Sequence, residues 1–204
     1  DSYIWCKDAQ DEQLGAFVEQ NRFMQAALRL LSVNKKLLAA WGGDHDMWSG
    51  SMGETIYTNF GNDYGAHFLH GVSYVSLQVG EHTYRISGAH RHSGYSIHNK
   101  AHPAIRLYKD DAEGSDIVIT AHTHDKGILP QPVKRFGGMA EFVYYASIGA
   151  YKRSDNYARK RGFHRKGNAE LGPLCFLLFP DRKEIVPYVT VDQGLQALQL
   201  ARKA

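Results

Sequence analysis

At 204 residues the chain is long enough for one substantial core, and its 43% apolar and 22% charged residues exclude a disordered or collagen-like polymer. A formal net charge of +3 is too small to point by itself to a nucleic-acid partner. No apolar run approaches the roughly 18 to 20 residues that cross a bilayer, and no basic stretch followed by an apolar segment opens the chain, so a cytoplasmic protein is expected.

Cys6 and Cys175 lie far apart with no zinc-like or redox spacing, which fits two reduced thiols. Histidine is the telling residue. Of eleven, seven (His82, His90, His92, His98, His102, His122 and His124) fall in one central stretch, a clustering that suggests a metal site although loop histidines are often only solvated.

The chain opens at Asp1-Ser2-Tyr3-Ile4-Trp5 without an initiator Met or a leading strand, as a fragment would. From Ala9 to Ser32, Leu14, Phe17, Val18, Met24, Leu28 and Leu31 recur at three- and four-residue steps and predict a core-facing amphipathic helix. Lys36 to Trp41 predicts a short strand that ends at Gly42-Gly43, leaving Asp44-His45-Asp46 at its C-terminal end, where ligands bind in open α/β sheets. Val72 to Val79 alternates apolar and polar, and Gly80-Glu81 separates it from a run through Ile86, so two antiparallel strands are predicted. Ala101 to Asp111 predicts a helix with Pro103 near its start. Asp116 to Thr120 reads as a buried strand running into Ala121-His122-Thr123-His124. Phe142 to Ile148 and Leu174 to Phe179 predict further strands, and the second forms a hairpin with Glu184 to Val189, in which Pro187 favours an edge. Leu195 to Ala204 predicts a terminal helix, and nothing marks a linker, so residues 1–204 are expected to form a single domain.

Three polar groups ending strands can converge at one sheet edge. Imidazole with carboxylate suits Zn, Mn and Fe, and thiolate is absent from all three groups. A two-metal centre of that kind can bind a phosphate and lower the pKa of a bridging water.

Gly43-Asp44-His45-Asp46, His90 and Ala121-His122-Thr123-His124 follow the order and spacing of metal-site motifs in the calcineurin-like metallophosphoesterases, and the chain resembles that superfamily in its phage and bacterial form. The resemblance spans most of the chain. It implies an α/β fold, a metallophosphoesterase-like α/β/β/α sandwich of mixed sheets with its N-terminal strand region missing. It also implies a metal-dependent phosphoester hydrolase, a phosphodiesterase or nuclease-like enzyme, with two divalent transition metals (Mn, Fe, Zn or Ni, Mn favoured) and a metal-bound hydroxide as nucleophile. Position by position, Asp44, His90 and His122 resemble ligands of the second metal, and His124 a ligand of the first. His45 resembles the residue that contacts the phosphate and protonates the leaving oxygen, with Asp46 orienting its ring.

His92 competes with His90 for the lone-histidine role. The segment from Gly94 to His102 resembles a Gly-x-Ser-x-x-Asn-x-x-His run of the family that favours His90, and it makes His98, Asn99 and His102 either substrate-pocket residues or parts of a solvated loop. Asp44 stands where the family has Asn, which adds negative charge to the site, and Ala121 stands for a Gly, which matters only if the backbone there needs positive φ. The Asp-x-His and Gly-Asp motifs are absent, so an upstream segment of the same polypeptide is expected to complete the site, and the chain alone is expected to have little activity.

The partner is then a phosphoester, with nucleic acid one possibility and no membrane. The stretch from Tyr151 to Lys166 interleaves basic and aromatic residues, as a nucleic-acid contact or a solvated loop would. The alternative function is a non-catalytic, degenerate metallophosphoesterase module that binds nucleic acid or a protein. A third reading is a mononuclear structural metal site on Asp44, His90 and His122.

Overall fold

The computed structural model describes residues 10–43, 59–134, 137, 138, 140–150, 167 and 170–203. The chain divides into two compact units, Asp1–Gly71 and Val72–Ala204. Among the described residues no helix is long and apolar enough to cross a membrane.

In the first unit, α1 (Gln10–Val33) precedes β1 (Ala39–Trp41), α2 (Phe60–Tyr64) and β2 (His67–Leu69), and β1 pairs in parallel with β2. Phe60, Tyr64 and Ala66 form the buried centre, against which Leu28, Leu37, Ala40 and Phe68 pack. The Ser32 hydroxyl ties α1 to this centre by donating to Tyr64 O at 2.7 Å. Leu28 thus plays the expected core-facing role, whereas Leu31 is 42% exposed. The side chains of Leu14, Phe17 and Val18 lie outside the described set.

The second unit is built on a five-stranded mixed sheet in the order β3-β4-β5-β7-β6. Its strands are β3 (Ser73–Val79), β4 (His82–Ala89), β5 (Ile117–Thr120), β6 (Gly127–Lys134) and β7 (Ala140–Ser147). Alternation sends successive side chains to opposite faces. On one face Ala89, Val118, Val143 and Tyr145 meet Ala104, Leu107 and Tyr108 of α3 (His102–Asp110). On the other, Tyr84, Ile86, Ile117, Ile119 and Tyr144 meet Phe176, Leu178 and Ile185 of the hairpin formed by β8 (Cys175–Leu178) and β9 (Ile185–Tyr188). The last helix, α4 (Val191–Ala201), packs on that hairpin, and Gly194 comes so near that an added Cβ would lie 2.8 Å from Cys175 Cβ. Thr190 caps α4 by accepting from Gln193 N. The unit is therefore mixed α/β with the layer order helix, sheet, hairpin, helix.

β6 is an edge strand that sequence periodicity does not reveal, because Pro130 and Pro132 interrupt it. The two prolines stand two residues apart, so their missing donors fall on the same side of the strand, and among the described residues β6 pairs only with β7. Pro187 likewise lies in a two-stranded ladder.

The turn between β8 and β9 is organised by Tyr84, whose ring is fully buried. Its hydroxyl lies 2.8 Å from Phe179 O and 3.0 Å from Arg182 O as a donor, and it accepts from Phe179 N and Glu184 N. Tyr84→Phe keeps the packing and strands those two amides, so a loss of about 1–3 kcal/mol is expected in urea denaturation. A midpoint within error of wild type would show that water replaces the hydroxyl.

Candidate metal centre

β4, β5 and β7 are neighbours and run parallel, with Ala89 beside Thr120 and Thr120 beside Ser147. Their C-terminal ends therefore finish level, and the loops that follow emerge side by side, the usual position for a ligand site in an α/β sheet. The register continues one step past the strands, since Ala121 N donates to His90 O at 3.1 Å and Ile148 N to Thr120 O at 2.9 Å.

Beyond Ala121 the backbone turns sharply. Thr123 N donates to Ala121 O at 2.7 Å across His122, whose φ is 66°. A three-residue turn with positive φ at its centre is rare and strained. His124 also has positive φ, 56°, and Ala121 does not. The alanine in place of glycine thus carries no backbone strain, which falls instead on the two histidines. Strain of this kind collects at functional sites.

The turn brings His122 to His90. Nε2 of His90 and Nδ1 of His122 are 3.2 Å apart, and the rings meet edge to face at 84°. His90 is buried and His122 half-buried, whereas His124 is exposed. Two imidazole nitrogens sharing a tetrahedral ion at about 2.0–2.1 Å would stand about 3.3–3.4 Å apart, so the observed spacing fits a pair that closes on one metal. Among the described residues no three His, Cys, Asp or Glu side chains gather as a metal-holding group. Asp44, His45 and Asp46, and the basic stretch from Tyr151 to Lys166, lie outside the described residues.

His92 takes another direction. Its Nε2 is 3.5 Å from Asp111 Oδ2 and 3.9 Å from Asp110 Oδ2, at the end of α3, so His90 rather than His92 is the partner of His122.

His98, Asn99 and His102 build the approach to α3. Ser96 Oγ accepts from the amides of His98 and Asn99, and Asn99 Oδ1 accepts from Ala101 N at 3.0 Å. The His102 ring packs on Gly94, where φ is 101° and a Cβ would lie 2.8 Å from His102 Cδ2. The cavity beside His122 is lined by residues 91–95, Pro103 and residues 121–123, and these three side chains are not among them.

Sequence reasoning missed the fastening of the histidine loop. Lys126 is buried and its ammonium donates to Leu171 O at 2.8 Å, and burial pushes its pKa down. Lys100 lies 3.4 Å from Glu170 and 3.9 Å from Asp125. Ala150 bridges Leu171, and a Cβ on Gly149 would come 2.5 Å from Glu170 O. Asp125-Lys126, directly after the histidine motif, was the one local signal. Comparison with models of protein families, with curated proteins and with solved structures finds no match to this chain in any of the three.

Proposed function

We propose that the chain is a metal-dependent phosphoester hydrolase of the calcineurin-like metallophosphoesterase type, acting on phosphodiesters, with its second unit arranged as that family's α/β/β/α sandwich. The observation that carries the reading is the His90–His122 pair, 3.2 Å apart on loops that end adjacent parallel strands, with His122 in a strained turn. Two helices flanking a sheet and a hairpin support the fold.

In this reading His90 and His122 would hold one divalent ion through ring nitrogens, and His124 would serve a second. Such ions, with Mn²⁺ favoured, would neutralise phosphate charge and acidify a water. The protein's part is to hold one ring buried and the other half-buried, both fixed in direction. Asp44 keeps its role as a ligand, His45 as proton donor to the leaving oxygen, and Asp46 as the group that orients the His45 ring.

The test is hydrolysis of bis(4-nitrophenyl) phosphate with Mn²⁺, on the chain and on any natural form extended at its N-terminus, beside His45→Ala and His90→Ala. Turnover that falls at least about a hundredfold in both variants is expected. Metal uptake without turnover in any form would overturn the hydrolase and leave a binding module.

A further inference from the structure

The cavity beside His122, about 270 Å³ in volume, is lined by the loop that follows His90, by Pro103 and by His122 with its two neighbours. Arg91 follows His90 directly, is exposed, and makes no hydrogen bond or ion pair with the described residues. The neighbouring cations differ, since Lys100 faces Glu170, Arg106 faces Asp110 and Lys126 donates to Leu171 O. Tyr95, in the same lining, is 69% exposed. Its ring is not part of the core clusters formed by the described residues of this unit.

The wall is packed against α3. Gly94, at φ 101°, is pressed between His102 and Arg106, with 2.8 Å and 2.9 Å to a would-be Cβ. His92 is anchored on Asp111, and Pro103 lies buried in the first turn of α3. The backbone that carries Arg91 and Tyr95 is thus packed on α3 at Gly94 and tied to it through His92.

We propose that this cavity is the subsite for the organic group of the phosphoester and that it selects a nucleoside. Tyr95 stacks on the base, and Arg91 engages a phosphate oxygen with its planar fork. The choice of a phosphoester rests on the hydrolase reading above, because the cavity is placed by its contact with His122. The volume suits one planar group and its sugar, close to the lower end of small-ligand sites at about 300 Å³. An alkyl phosphate or a phosphorylated serine side chain would leave Tyr95 without a partner.

The test uses the ¹⁵N-labelled chain without metal, titrated with adenosine 5′-monophosphate and with ribose 5-phosphate. The nucleotide should shift the amides of residues 91–95 and 121–123 and bind about tenfold more tightly than the sugar phosphate. Tyr95→Ala should erase that preference, Tyr95→Phe should keep it, and Arg91→Ala should weaken both ligands about tenfold. Equal affinity for the two ligands, shifts confined to other residues, or an unchanged preference in Tyr95→Ala overturns the subsite. Mn²⁺-dependent hydrolysis separates the two ideas. Nucleotide bound in the cavity of a protein that turns over phosphodiesters in no form, N-terminally extended forms included, overturns the hydrolase and leaves the subsite, and turnover without nucleoside preference does the reverse.

Discussion

Replacing His122 with asparagine is expected to lower the affinity of the chain for Mn²⁺ by at least about a hundredfold, because even the groups that merely orient a metal ligand contribute about 10- to 100-fold. Asparagine is the informative substitute. It tolerates positive φ at least as well as histidine, so the turn at 66° survives while an amide replaces the imidazole. His90→Ala should produce a loss of similar size, and the double variant little more than either alone, since two ligands of one ion couple strongly. The competing explanation of the 3.2 Å contact is a hydrogen bond between two neutral rings. In that case each variant would change stability by about 0.5–1.5 kcal/mol and leave Mn²⁺ binding untouched. Metal content after dialysis, with free Mn²⁺ followed by electron paramagnetic resonance, distinguishes the two.

Gly80→Ala is expected to be the most damaging single methyl in the second unit, at about 2–5 kcal/mol. Left-handed backbone at φ 58° contributes about 1–2 kcal/mol of that for an alanine. Overpacking adds about 1–3 kcal/mol, because the new Cβ would fall 2.3 Å from Pro180 O and 2.7 Å from Pro180 Cα, both backbone atoms that cannot swing aside. Gly172→Ala is the control. It has φ 76° and nothing among the described residues within 4 Å of its Cβ direction, so only the conformational part should appear. Urea midpoints with unchanged slopes measure both. Mn²⁺ affinity should be preserved in Gly80→Ala, since the turn sits at the opposite end of β4 from His90. A midpoint no lower than the control's would show that the turn between β8 and β9 moves freely.

Strands were legible where alternation or a short apolar run was uninterrupted. Val72 to Val79 and Asp116 to Thr120 predict β3 and β5 within a residue, and the Gly80-Glu81 turn predicts their neighbour β4. The prediction for β4 stopped at Ile86, though the strand runs to Ala89, because Gly88 and Ala89 have too little side chain to signal burial against α3. α4 begins four residues earlier than its apolar pattern implies, because Gly194 is a packing residue against Cys175 rather than a breaker. β2 and α2, at three and five residues, are too short to show a period.

The candidate site was legible as strand-end histidines, and His90 with His122 is the pair the chain brings together. The cavity wall was not. Arg91 and Tyr95 acquire their place only when Gly94 folds back on His102 and Arg106, a contact that depends on the first turns of α3. Lys126 was equally hidden, since its partner is 45 residues away.

The positive φ at His122 and His124 sets the folding of this chain against the metal chemistry proposed for it. At either position glycine would relax the backbone, so a search for more stable sequences guided by folding alone would erase the imidazoles first. Any stabilised version of the protein therefore has to be screened for what its loop can still hold, because the gain in robustness and the loss of the site would arrive in the same substitution.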